Sequence, residues 1–346
     1  MNGQHVDSLI TDPAVFQEPW VPGDFRHRDA ELNQISTTLR PLLEGEPAGD
    51  VFVWGPSGSG KSSAARYLLG ELHTELGEVD AHYVRCWSNQ TRHRVLYALL
   101  DSVGSTAGVN RTGVSASELL DRVEAAVDRP TVLVLDEVDM LTDPDVLYDL
   151  YHIQDLALFL VANDEQRVLS RLDTRLQSRL GNATSVSFDR YDVDALVSIL
   201  AQRVEHGVAP GVLTREHLST IADLAAGDAR TAIRILATAV RSVESKEREH
   251  LTESILRDAV PAAREELRES RLDRLGEHQR AVYDVIAAAG NIAPGEAYER
   301  YAERVETPRS RRRMRDYVTE LADCSLVEIT GKNRGRRYSV VDHREE

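Results

Sequence analysis

Eight consecutive residues, Gly55, Pro56, Ser57, Gly58, Ser59, Gly60, Lys61 and Ser62, have the types and order that hold a nucleoside triphosphate. In such a loop the glycines let backbone N–H groups turn onto the phosphates, the lysine ammonium reaches the outer ones, and the serine hydroxyl takes a place on Mg²⁺. Ser63 carries the phosphate-binding set into the helix that follows. Further along, the apolar run 131–135 ends in Asp136 and Glu137. Asp136 suits the water shell of Mg²⁺, and Glu137 suits orienting and deprotonating an attacking water, because phosphoryl transfer mainly needs positioning and charge neutralisation. ATP and ADP with Mg²⁺ are therefore the expected cofactors.

An open parallel α/β sheet has to position these groups, since its ligands bind at the carboxyl ends of the strands. The flanks agree: residues 51–54 form a buried strand before the loop, and Ala64, Ala65, Leu68, Leu69 and Leu72 follow at helical spacing. A further apolar strand, 156–162, leads to Asn163, whose amide can contact the γ-phosphate or the water from a neighbouring strand tip. Arginines 167–179 come next, and one of them can stabilise transition-state charge across a subunit interface; Arg179 is the first choice and Arg175 the second. Residues 192–268 are helical by periodicity, as a lid would be. Two amphipathic helices, 95–103 and 119–127, flank the loop 104–115, the second opened by a Ser115–Glu118 capping box.

The pattern restarts after a polar stretch at 268–278. Two short helices precede a third within 307–327, and residues 326–341 read as a β-hairpin. Three helices and a hairpin make a winged helix, whose third helix enters the major groove. At 100° per residue, Met314, Tyr317, Val318 and Leu321 share the core face, Arg309 and Arg312 lie opposite, and Arg313 and Arg315 flank them. Lys332, Arg334, Arg336 and Arg337 in the wing can reach the adjacent minor groove or backbone. The expected domains are an α/β core at 1–190, an α-helical lid at 191–270 and the winged helix at 271–346.

Charge singles out the same tail. The chain carries 57 acidic and 41 basic residues, yet only three of the latter are lysines, Lys61, Lys246 and Lys332, and arginine supplies the other 38. An acidic, lysine-poor surface fits a protein working in molar salt, where self-repulsion is screened; a GC-rich genome favouring arginine codons is the other reading. Within 309–337, nine basic residues face four acidic ones, which marks this segment for a polyanion. Cys86 and Cys324 lack the paired spacing of a zinc site, and no segment is long and apolar enough for a membrane span, so a cytoplasmic, nucleoid-associated protein with no membrane partner is expected.

The ordered set 20–43, 55–62, 132–141, "LVAND" at 160–164, "RLQSRLG" at 175–181, "GDAR" at 227–230 and the winged-helix pattern resembles the AAA+ ATPases, and more narrowly the archaeal Orc/Cdc-type replication initiators. The resemblance implies that Val21, Pro22, His27 and Arg28 pack on the adenine, that Asn163 is sensor 1, that Arg179 acts in trans, and that Arg230 is sensor 2, reaching the γ-phosphate from the lid. It also implies that loop 104–115, with Arg111, touches the DNA backbone. The function implied is slow, switch-like ATP hydrolysis governing a protein that binds double-stranded origin DNA, self-associates there, and helps recruit or load the replicative minichromosome maintenance helicase. Two other readings stay open: a DNA-binding regulator or mobile-element paralogue without helicase loading, and a clamp-loader-like or motor ATPase.

Overall fold

The computed structural model describes residues 8–76, 80–106, 113–332 and 335–341. Arg111 and Arg334, both expected at DNA, lie outside the described residues. The chain forms two compact units, Met1–His250 and Leu251–Glu346.

In the first unit, five strands make an all-parallel sheet: β1 (Val51–Trp54), β2 (Asp80–Arg85), β3 (Thr131–Asp136), β4 (Leu156–Ala162) and β5 (Thr184–Ser187), in the order β2-β3-β4-β1-β5. β3 is buried along its whole length, as its unbroken apolar run requires of a strand covered on both faces. One face packs α1 (Asp29–Leu39) and α2 (Lys61–Leu76); its core includes Ile35, Leu39, Ala64, Leu68, Val134 and Phe159. The other packs α3 (Arg92–Ser102), α4 (Ala116–Ala126) and α5 (Val146–Leu150); Leu96, Leu99, Leu119, Leu133, Leu147 and Leu160 meet there. Ser115 caps α4 as expected, but the Glu118 carboxylate takes Arg122 at 2.9 Å, one helical turn on. The arginine-rich stretch forms two short helices, α6 (Glu165–Arg171) and α7 (Thr174–Leu180), with Asp173 capping the second.

The lid helices of this unit are α8 (Val193–Gly207), α9 (Arg215–Leu224) and α10 (Ala229–Ser245). α10 buries Ala232, Ile235, Leu236, Ala239, Val240 and Val243, the three-and-four spacing of an amphipathic helix.

The second unit begins with α11 (Glu253–Asp273), which carries on through the first half of the polar stretch 268–278 and ends at Asp273. Leu267 and Leu272 are buried within it, and Arg271 donates to the Cys324 carbonyl at 3.1 Å, so the helix belongs with the tail by packing. α12 (Glu277–Ala289), α13 (Pro294–Arg304) and α14 (Arg311–Asp323) follow, with β6 (Asn291–Ile292), β7 (Val327–Thr330) and β8 (Arg337–Val340). The strands form an antiparallel sheet ordered β6-β8-β7, in which β7 and β8 are the expected hairpin and β6 adds an edge. Val282, Ile286, Tyr301, Met314, Val318, Leu321 and Tyr338 fill its core. Among the described residues no helix is long and apolar enough to cross a membrane.

Candidate functional site

Register builds the site. Trp54 pairs with Ala162, Val161 with Asp136, and Asp136 with Arg85, so the ends of β1, β4, β3 and β2 lie in one row, with the glycine-rich loop leaving from β1. Gly58 and Gly60 take φ of +75° and +95°, in the left-handed region that favours glycine. A Cβ on Gly58 would stand 1.9 Å from Asp228 Oδ1, and one on Gly60 2.2 Å from the Tyr191 hydroxyl. The loop is thus packed directly against the lid, and the Ala229 N–H donates to the Gly58 carbonyl at 3.0 Å.

Lys61 is buried and folds back on its own loop, donating to the Gly55 and Pro56 carbonyls at 2.6 and 2.8 Å and to Asn163 Oδ1 at 3.3 Å. Burial pulls its ammonium down to about 8, against the opposing pull of Asp136 and Asp139. Ser62 donates to Asp136 Oδ1 at 3.0 Å, and the Tyr83 hydroxyl donates to Asp136 Oδ2. Asn163 is held from both sides, since its Nδ2 donates to Asp139 Oδ2 at 3.3 Å. Burial, and then the neighbouring Asp136 carboxylate, push Glu137 up to about 7. Its Oε2 is buried with no hydrogen-bond partner, as is the Ser59 hydroxyl. The orphaned Ser59 hydroxyl, the buried ammonium and the left-handed glycines fit a polyphosphate, the unpartnered Glu137 oxygen fits a water, and the hard oxygens of Ser62 and Asp136 fit Mg²⁺.

The other expected residues are placed as follows. Arg28 is a brace: 6 % exposed, it donates to the Ser59 carbonyl at 3.0 Å and to the Asp189 carbonyl, pairs with Glu31 at 2.7 Å, and lies over the Tyr191 ring. His27 is exposed with φ of +64°, and Val21 packs on the α1/α2 side of the core. Arg230 opens α10 and pairs with Glu18 at 3.4 Å. Arg175 and Arg179 are exposed on α7, and Arg179 donates to the Tyr151 carbonyl at 3.3 Å. In the tail, Arg309 is not on the third helix. Ser310 caps that helix, and Arg309 stands before it, its backbone N–H on the Tyr301 hydroxyl and its Nε on His278 Nε2 at 3.2 Å. The early start drawn from the arginine run loses to serine's preference for the cap. Arg313 lies over Tyr317 near Asp316 and Glu320, while Arg312, Arg315, Lys332, Arg336 and Arg337 are exposed.

Sequence reasoning missed Tyr83, Glu18, Arg85, Asp139 and Asp228. Asp228 left a signal, as the capping residue inside the quoted "GDAR", and Asp139 lies inside the run 132–141; nothing in the spacing of Tyr83 marks it as Asp136's partner.

The sheet order, the loop and a helical lid seated on it define an AAA ATPase. Residues 24–161 match the AAA ATPase domain model, and 197–261 match the Cdc6 AAA+ ATPase-type lid domain. The chain is 41 % identical over 334 residues to ORC1-type DNA replication protein 9 of Halobacterium salinarum, covering 96 % of this chain and 94 % of that one. It is 37 % identical to ORC1-type DNA replication protein 1 of the same organism, over 89 % of this chain and all of that one. Among solved structures, that of the Aeropyrum pernix ORC1 protein in complex with DNA is similar, with a TM-score of 0.80 and 28 % identity over 97 % of this chain and 94 % of that chain. The chain belongs to the ORC1-type DNA replication proteins.

Proposed function

We propose that this chain is an ATP-switched replication initiator that binds double-stranded origin DNA and helps recruit or load the replicative minichromosome maintenance helicase. The observation that carries the reading is the seat of the lid on the phosphate loop, Ala229 on Gly58 with Arg230 one residue on. What the loop holds then biases where the lid lies, and a switch of this kind needs a bistable element touching the ligand. Lys61 and the loop amides bind the phosphates, Ser62 and Asp136 hold Mg²⁺, and Asn163 and Glu137 orient the water, Glu137 as base. Mg²⁺, when bound, neutralises charge on the phosphates. Arg230 contacts the γ-phosphate from the lid, and Arg179 serves a neighbouring copy on DNA.

Residues 271–346 are read as a winged-helix domain. Exposed Arg312 and Arg315 on α14 are suited to the major groove, and Lys332, Arg336 and Arg337 to phosphates or the minor groove. The similar Aeropyrum pernix ORC1 protein was solved in complex with DNA, which supports a duplex as the partner. High salt weakens counterion release, so base contacts and DNA shape carry more of the affinity here than charge alone. Footprinting of the full chain on genomic DNA in molar salt, with ATP and with ADP, tests the proposal. Discrete protected sites that change with the nucleotide are expected. Uniform or nucleotide-independent protection refutes it, and protection confined to promoters points instead to a transcriptional regulator.

A further inference from the structure

Glu18 joins two arginines at the nucleotide site. Its carboxylate lies 3.4 Å from Arg230 Nε and 3.5 Å from Arg85 Nη2, and all three side chains are about one-third exposed or less. Arg230 opens the lid helix α10, and Arg85 ends β2, paired in register with Asp136. Glu18 itself stands on a strap that rides on the lid. Ile10 bridges to Val208, the Ala209 N–H donates to the Leu9 carbonyl at 2.8 Å, and Glu244 of α10 accepts from the Ser8 hydroxyl at 2.7 Å. Arg203 of α8 donates to the Val15 carbonyl and stacks over Trp20, and a Cβ on Gly207 would come within 2.4 Å of Val15. The strap is therefore fixed to the lid on both sides of Glu18, and the carboxylate reaches from the lid to the sheet.

We propose that Glu18 is a built-in competitor for the terminal phosphate. Its carboxylate takes the guanidinium of Arg230 and ties it to Arg85; a nucleoside triphosphate displaces it, and a diphosphate does not. This rests on the reading of Arg230 as the lid's γ-phosphate contact. Carboxylates and phosphoryl oxygens present the same acceptor geometry to a guanidinium fork, so one replaces the other without rebuilding the donor. A diphosphate lacks the oxygens that would reach Arg230 and leaves the pair intact. Glu18 thus lowers triphosphate affinity selectively and sets how far ATP is preferred over ADP.

The test is the affinity of the full chain for AMP-PNP and for ADP, each with Mg²⁺, by isothermal titration. Exposed-to-half-buried ion pairs of this kind correspond to changes of about two- to fivefold. Glu18→Gln, which keeps the size and removes the charge, is expected to tighten AMP-PNP by about that factor and leave ADP unchanged. In an Arg230→Ala background the same substitution is expected to do nothing. The proposal is overturned if Glu18→Gln weakens AMP-PNP, shifts both nucleotides equally, or acts undiminished without Arg230. Arg230→Ala alone separates the two readings: an unchanged AMP-PNP-to-ADP ratio removes Arg230 from the γ-phosphate, whatever Glu18→Gln does. A melting curve for each variant checks folding.

Discussion

Substituting Gly58 by alanine tests the seat of the lid on the phosphate loop. At φ of +75° a side chain costs about 1 kcal/mol in backbone strain. The added Cβ would also stand 1.9 Å from Asp228 Oδ1, an atom that caps α10 by accepting from the Thr231 N–H at 3.0 Å. Asp228 is a side chain and can swing away, but then the cap is lost, for about another 1 kcal/mol. Strain at Gly58 stays in the loop when α10 opens, so the opening of its first turn rises by the cap's share alone, about 1 kcal/mol or roughly fivefold. Hydrogen exchange followed by mass spectrometry on the peptide covering 228–236 reads that opening directly. Asp228→Ala alone removes only the cap and costs about 1 kcal/mol. Because the cap is counted once, the double variant is expected near 1 kcal/mol and not near 2, a coupling of about 1 kcal/mol. Unchanged exchange in Gly58→Ala, or full additivity in the double variant, refutes the contact between loop and lid.

Other outcomes follow from the same geometry. Lys61→Ala should abolish ATP binding, whereas Arg312→Ala should leave ATP binding intact and weaken DNA binding; filter binding with labelled ATP and labelled duplex separates the two. Tyr83→Phe leaves Asp136 Oδ2 short of its donor and should destabilise the nucleotide-free chain by about 1–2 kcal/mol. Mg²⁺ with AMP-PNP should shrink that gap in melting temperature, because the carboxylate gains a cation; a constant gap contradicts the assignment. Glu137 titrates near 7 in the fold against 4.5 in its absence, so the folded chain holds that proton more tightly. The stability it contributes is full below 4.5 and lost as pH rises through about 7. Glu137→Gln stays neutral, so its melting temperature should rise relative to the parent between about pH 5 and about pH 8. A difference independent of pH counts against a buried, raised carboxyl.

How far this molecule was legible depended on whether a feature is local. The loop 55–62, the strand ends at Asp136 and Asn163, and the buried face of α14 are short-range patterns, and the fold places them as the periodicity implies. The helix across 268–273 was hidden because its polar residues outnumber Leu272, whose burial comes from the tail's core. The same limit hid β6, whose two residues acquire strand geometry only by pairing with β8. Within the site, Tyr83 and Glu18 carry no sequence signal, since each matters through a partner more than 50 residues away, across the sheet or on the lid. For Arg28 the resemblance implies packing on the adenine, and the fold adds what no local pattern carries, a guanidinium that donates to the Ser59 and Asp189 carbonyls.

On the function proposed above, the nucleotide held by the loop and lid sets how residues 271–346 hold a duplex. Fluorescence anisotropy of the full chain on a labelled duplex taken from a footprinted site, in molar salt, with Mg²⁺–AMP-PNP and with Mg²⁺–ADP, measures it most directly. Dissociation constants that differ by about fivefold or more between the two nucleotides are expected, with Arg230→Ala collapsing the difference. Equal affinity of the parent chain for DNA in both nucleotide states, or no binding in either, would contradict it.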